Sequence, residues 1–326
     1  MDRRAFLSTV AGSLLAAPLA AEAQPAGKMW RVGWLALGSA ASAGPYMDGF
    51  RVALRELRWV EGRTFVLDIA LGEGRADRLP ALVAQLLDHK VDVIIAGGGN
   101  ATVVAAKAAT NTVPIVMTNG IDAVESGFVQ SLAHPGGNIT GLSVPTDVGY
   151  KVIELLRELN PSLSRIVVFV RNTYPMARRL TGKAGVLARF RVILNHVEVS
   201  EPADLPGALT AARGLRADAM IVGPDAFFLR EGERMIEFAK SARLPAVYFY
   251  PEMVEAGGFM CYSVSRVEVW RTAARYVDQI AKGIKPADLP VQQPSKFDLA
   301  INLKTAKALG LTVPPSLLQR ADQVIE

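Results

Sequence analysis

The sequence predicts an α/β protein of two doubly wound parallel-sheet lobes that share a hinge and face each other across a cleft. Three observations carry this. Short runs rich in Val and Ile alternate with helical stretches of about ten residues or more, the pattern of βαβ units and parallel sheets. The 326-residue chain has too many strands for one compact half, and the alternation restarts near Val144. No Gly/Ser linker separates the two series, so the lobes are joined most simply by segments crossing between sheets. Half of the residues are hydrophobic, enough for sizeable cores.

In the first series, Trp30–Ala36 is the first strand and Pro45 opens a helix to Leu57, with Phe50, Ala53, Leu54 and Leu57 on one face. Phe65–Leu71 is a strand. Arg75–Asp88 is a helix with a stripe of Leu79, Leu82, Val83, Leu86 and Leu87. Val91–Ala96 is a strand buried on both faces, Gly97-Gly98-Gly99 breaks it, and Asn100 caps a helix over Ala101–Ala109. Pro114–Thr118 is a strand, followed by Asn119-Gly120-Ile121-Asp122 and a helix to about Leu132. His134–Asn138 is a turn, and Ile139–Leu142 ends the lobe.

The second series has strands at Arg165–Val170, Val192–Val199, Ala219–Val222, Ala246–Phe249, Gly258–Tyr262 and Phe297–Ile301. Its helices are Val148–Leu159, Met176–Arg189, Ala203–Arg213, Phe227–Ser241, Glu268–Lys282 and a last one, capped by Asn302, to Leu309.

The glycine turn organises the functional reading. Its glycines leave backbone N–H groups uncovered, and the following helix adds roughly half a positive charge at its N-terminus. Together they suit a carboxylate; a tight turn alone would also explain them, since the pattern is neither a Walker loop nor GxGxxG. Ligands of open α/β sheets sit beyond the carboxyl ends of the strands. There the first lobe places Ser39, Gly98, Gly99, Asn100, Thr118, Asn119 and Asp122, and the second places Asn172, Tyr174, Gly223, Asp225 and Tyr250. These suit a small polar molecule with an apolar part. Asn100, Asp122 and Asp225 are equally suited to capping helices, and Tyr174 and Tyr250, each beside a proline, to packing the hinge.

Catalytic patterns are absent from the sequence. His89, His134 and His196 fall in no metal-ligand spacing, and there is no GxSxG elbow. Cys261, the one cysteine, follows an apolar strand and reads as a buried small residue. No cofactor, metal or enzymatic activity is expected. The net charge of +5 is spread along the chain without a Lys/Arg block or aromatic platform, so nucleic acid is not an expected partner. Residues 1–23 read as a twin-arginine-type signal peptide: Arg3-Arg4-Ala5-Phe6-Leu7, an apolar run from Val10 to Ala20, and cleavage after Ala23. The run is too short to span a membrane, and export to a bacterial periplasm is expected.

The chain resembles, over essentially its whole length, the ABC-transporter substrate-binding proteins of the tryptophan/tyrosine-type uptake family, most specifically at Val91–Val116, Ser126–Leu142 and the tail Tyr276–Glu326. The resemblance implies the type I periplasmic binding fold, with a three-segment hinge. One lobe would comprise 30–143 plus 264–285, the other 144–263 plus 286–326. It implies a monomer that binds an amino acid or related small carboxylate and delivers it to an ABC permease. The family's cleft motifs fall on Gly97–Ala101, Asp122 and Gly223–Asp225. The chain departs from the family at Gly99-Asn100, where Thr or Ser then Pro is common, at Ala123, where Pro is common, and at Cys261-Tyr262-Ser263, where Ser-Tyr-Gly is common. A sensing subunit docked on a membrane receptor would present the same closed shape; a secreted α/β enzyme is the remaining alternative.

Overall fold

The computed structural model describes residues 28–145, 148–171 and 190–326. The segment expected to direct export, Asn172, Tyr174 and the helix expected over Met176–Arg189 lie outside the described residues.

Two sheets carry the fold. β1 (Trp30–Ala36), β2 (Phe65–Leu71), β3 (Val93–Gly97), β4 (Ile115–Ile121) and β5 (Ile139–Val144) form a parallel sheet in the order β2-β1-β3-β4-β5. From β1 the chain winds first to β2 and then back past β1 to β3. The order therefore reverses between β1 and β3, whose carboxyl ends, Ala36 and Gly97, are register partners. Such a switch point opens a crevice between the loops, and the glycine turn leaves the sheet there.

The second sheet contains β6 (Arg165–Arg171), β7 (Ile193–Val199), β8 (Ala219–Val222), β9 (Ala246–Tyr248), β10 (Met260–Val264), β11 (Phe297–Asn302) and β12 (Gln323–Ile325), ordered β12-β11-β10-β9-β8-β6-β7. Its pairs are parallel except β10 with β11. Here the order reverses between β6 and β8, so Gly223-Pro224-Asp225 leaves the second switch point.

Helices cover both faces of each sheet. In the first lobe these are α1 (Ala40–Glu56), α2 (Leu79–Asp88) and α3 (Asn100–Ala109). In the second they are α4 (Val148–Leu159), α5 (Leu205–Gly214), α6 (Ala226–Arg230), α7 (Gly232–Ser241) and α8 (Pro251–Glu255). α9 (Arg266–Ala281) follows β10, and α10 (Leu303–Leu309) and α11 (Pro315–Leu318) follow β11. Strand alternation sorts the core: Val32, Trp34 and Ala36 face α1 and α9, whereas Leu35 joins α2 and α3 on the other side.

The hinge has three segments. After β5 the chain leaves at Val144-Pro145. After β10, Ser265 leads into α9, which packs on α1, β4 and β5 of the first lobe. The third return falls near Ser295-Lys296, later than the expected Pro286. Residues between stay on the first sheet: Val291 N–H donates to Leu132 (2.7 Å), Gln292 N–H to Gly141 (2.9 Å), and Ser143 N–H to Gln292 (2.9 Å). Two crossings are tied together. Ser265 N–H donates to Lys296 O (3.0 Å), and the Glu268 carboxylate accepts from Ser295 N–H (2.9 Å), Ser295 Oγ (2.7 Å) and Lys296 N–H (2.7 Å).

Local differences from the sequence reading have local causes. α1 starts at Ala40 and carries Pro45 inside it, where the proline has no N–H to give and the helix forgoes one i→i−4 bond in its second turn. The helix expected to Leu132 is a series of turns; Gly127 takes φ +69° and Ser126 N–H closes on Asp122 O (2.8 Å). The helix expected over Phe227–Ser241 breaks at Glu231, whose ψ of 16° separates α6 from α7. β12 and α8 were not expected; both are too short to show a period. Among the described residues no helix is long and apolar enough to cross a membrane.

Candidate functional site

β3 ends in two glycines whose backbone no other residue adopts easily. Gly98 has φ +90°, and a Cβ there would lie 3.3 Å from Leu37 N. Gly99 has φ +99° and ψ −170°, a region nearly restricted to glycine. The turn aims two N–H groups at one point. That point is filled by the Asn119 side chain, whose Oδ1 accepts from Gly98 N–H (3.2 Å) and Gly99 N–H (3.1 Å). The Thr118 hydroxyl, also 3.4 Å from Ala96 O, lies 3.2 Å from the same oxygen. The turn expected to hold a carboxylate thus holds an amide oxygen of its own chain.

A cavity of about 170 Å³ lies between the lobes against this turn. From the first lobe come Trp34, Tyr46, Gly97, Gly98, Gly99, Thr118 and Asn119; from the second, Pro224, Ala226, Leu229, Phe249 and Tyr250. The hinge supplies Val144, Pro145, Val264, Arg266, Trp270 and Phe297. One wall is an aromatic cluster. Trp34 and Trp270 rings are 5.1 Å apart and tilted by 33°, and Tyr46 meets Trp270 edge-on at 5.1 Å. Burial, and then the neighbouring Glu252 charge, pushes the Tyr46 phenol far above its ordinary range, so it remains a neutral hydroxyl. Arg266 is the one charged residue among the described lining residues. Its Nη1 donates to Glu252 (3.2 Å), its Nη2 is 3.9 Å from Glu255, and its guanidinium lies 5.7 Å from the Tyr46 ring. An apolar cavity of roughly 150 Å³ accommodates a benzene-sized ring.

The lobes touch beside this cavity. Ala226, carried by the second lobe, packs in a first-lobe core with Leu35, Ala96 and Met117. A Cβ at Gly74, after β2, would sit 3.0 Å from Arg230 Cδ of α6.

Of the residues singled out in the sequence, Gly98, Gly99, Thr118, Asn119 and Tyr250 line the cavity; Ser39, Asn100, Ala101, Asp122, Gly223 and Asp225 are not among its lining residues. Asn100 is not the cap of α3, a position Gly99 takes. It is buried, and its amide ties α3 to the end of β4: Nδ2 donates to Ile121 O (3.1 Å) and Ser126 Oγ (3.0 Å), and Oδ1 accepts from Ile121 N–H (2.7 Å). Asp122 holds a left-handed φ of +43° and donates its N–H to Val144 O at the first hinge crossing. Asp225 caps α6, accepting from Phe227 N–H (2.8 Å). Burial raises its carboxyl above the usual range, against the pull of that bond and of the Arg171 charge.

Trp34, Tyr46, Arg266 and Trp270 escaped the sequence reading. Trp34 lies within a strand and Tyr46 within a helix, and each meets Trp270 only because α9 returns to the first lobe. Cys261 is buried in the second core, and burial pushes its thiol up to about 12, so it is protonated and unreactive.

A family model for ABC transporter substrate binding proteins matches residues 37–325. The chain belongs to this family. An ABC transporter substrate-binding protein of this kind resembles a "Tyrosine-binding protein" of Clostridioides difficile (strain R20291), at 23% identity over 266 residues, 81% of this chain and 76% of the relative. Among solved structures it is similar to an ABC domain from Streptococcus pneumonia in complex with L-Trp (23% identity, TM-score 0.83, 91% of this chain and 100% of that one). It is also similar to a conserved domain protein of Vibrio cholerae (26% identity, TM-score 0.82, with the same coverage of both chains). The substrate-binding protein has the type I periplasmic binding fold, shared with the leucine-binding protein of Thermotoga maritima (16% identity, TM-score 0.55, 80% of this chain and 79% of that one).

Proposed function

We propose that this substrate-binding protein receives an aromatic amino acid or a related small aromatic carboxylate in the interlobe cavity and delivers it, chemically unchanged, to an ABC permease from the periplasm. The observation that carries the reading is the cavity itself: it joins the carboxyl ends of both sheets, is walled by Trp34, Tyr46 and Trp270, and has polar groups only at the Asn119 turn, the hydroxyls and Arg266. A ring stacks on the aromatic wall, and a carboxylate meets a donor at Asn119 or the guanidinium. Ligand contacts to both lobes favour the closed form because only there are all of them made. The relatives named for tyrosine and crystallised with tryptophan support the ligand class, and the Arg3-Arg4 segment supports export.

Isothermal calorimetry and thermal shift with L-tryptophan, L-tyrosine, 4-hydroxybenzoate and L-leucine test this. Binding of at least one aromatic carboxylate, with recovery of the unaltered compound, is expected. Tight binding of leucine alone, or conversion of any of them to product, overturns it.

A further inference from the structure

We propose that Asn119 is the residue through which the glycine turn reads a bound carboxylate: the turn's amides fix the Asn119 side chain, and Asn119 Nδ2 donates to the ligand. This rests on the reading of the cavity as a carboxylate site. The orientation of the amide follows from its partners. Gly98 N–H and Gly99 N–H converge on one side-chain atom, at 3.2 and 3.1 Å. An NH₂ group there would set donors against donors, so the atom is the oxygen. With Oδ1 held, Nδ2 points the other way. Asn119 lines the cavity, and Nδ2 donates to no acceptor among the described residues.

The consequence differs from direct capture of an anion by bare amides. Gly98 and Gly99 cannot give their N–H groups to a carboxylate while Asn119 accepts them. Instead their partial positive charge polarises the amide, which strengthens Nδ2 as a donor. The ligand meets one neutral, fixed donor, set into the cavity by a turn that only glycines at 98 and 99 can form. This accounts for the pairing of an asparagine at the end of β4 with the glycine turn at the end of β3, adjacent parallel strands.

Two substitutions separate the alternatives. Asn119→Ala exposes the turn amides but removes the donor. Asn119→Asp keeps an acceptor for the amides, now charged, and presents no donor to the ligand. Binding of L-tryptophan, L-tyrosine and 4-hydroxybenzoate is measured by calorimetry for each. For every probe the unsubstituted protein binds, Asn119→Ala weakens binding about 10- to 100-fold, the worth of one hydrogen bond to a charged group. Asn119→Asp weakens it further, because carboxylate then faces carboxylate. Equal or tighter binding by Asn119→Ala overturns the proposal, since the amides then take the carboxylate directly.

Hydrogen exchange of the Gly98 and Gly99 amides, read by NMR without any ligand, tests the clamp independently. Protection is expected in the unsubstituted protein and in Asn119→Asp, and its loss in Asn119→Ala. Exchange in the unsubstituted protein as fast as in Asn119→Ala overturns the proposal whatever the binding data show. Protected amides in a protein that binds none of the three probes leave the clamp standing and refute the carboxylate reading of the cavity, and with it the proposed role for Nδ2.

Discussion

Asn100→Ala decides whether Asn100 is a strut or a ligand contact. The substitution removes at least three hydrogen bonds: Nδ2 to Ile121 O, Nδ2 to Ser126 Oγ, and Ile121 N–H to Oδ1. Their losses differ in kind. Ile121 O keeps the Ser126 hydroxyl at 2.8 Å, so that carbonyl stays satisfied. Ile121 N–H, in a residue 8% exposed at the end of β4, has no other acceptor among the described residues. A buried donor left unmade costs about 1–3 kcal/mol, and each of the other bonds about 0.5–1.5 kcal/mol. Because Ser126 re-forms part of the network, the total expected is about 2–4 kcal/mol. Urea unfolding followed by far-ultraviolet circular dichroism measures it as a lowered midpoint at unchanged slope. Affinity for the aromatic probes should change little once the protein is held well below that midpoint. A loss below about 0.5 kcal/mol accompanied by abolished binding would refute the reasoning and return Asn100 to the ligand.

Further expectations follow from the turn, the hinge and the interlobe contact. Gly99→Ala places a Cβ on a backbone with φ +99° and should destabilise the protein by about 1–3 kcal/mol while also weakening the probes, both read in one calorimetric series; an unchanged melting temperature counts against the turn geometry. At the hinge, burial works to raise the Glu268 carboxyl, but the bonds from Ser295 and Lys296 outweigh it and hold the group below its ordinary value. A lowered carboxyl pKa contributes stability above the unfolded pKa and loses it as pH falls through the folded one. Glu268→Gln should therefore be less stable than the unsubstituted protein at neutral pH, with the gap closing toward acid, as thermal melts across pH 3–7, roughly the span of the carboxylate titration, would show; a pH-independent gap refutes the assignment. Ala226→Trp puts a bulky ring where the second lobe enters a first-lobe core. It should hold the lobes apart, giving a larger radius of gyration by small-angle scattering and no probe binding; an unchanged radius with intact binding refutes that role.

The legible part of the fold was the part encoded locally. Runs such as Val93–Gly97 and Arg165–Arg171 announce buried parallel strands by composition alone, and the stripe on Leu79–Asp88 announces a helix by its period. The split helix at Glu231 and the antiparallel return of β11 follow from packing between distant segments, and nothing in a local window specifies them. The same division holds in the site. Glycines at 98 and 99 mark an unusual turn in any reading, because only a residue without a side chain takes those dihedrals cheaply. That Asn119 fills the turn depends on β3 and β4 lying side by side.

By itself, then, the sequence determined that there are two α/β lobes, where their strands end, and that a glycine turn stands at one of those ends. The tertiary structure decided which strand ends face a common space, that Asn100 braces the end of β4 and Asp225 caps α6 while Thr118, Asn119 and Tyr250 line the cavity, and that Trp34, Tyr46, Arg266 and Trp270 join them. The reason is physical. Dihedral preference and hydrophobic period act over a few residues, whereas the Trp34–Trp270 pair exists only because the hinge returns α9 to the first sheet, and no short-range pattern encodes that return.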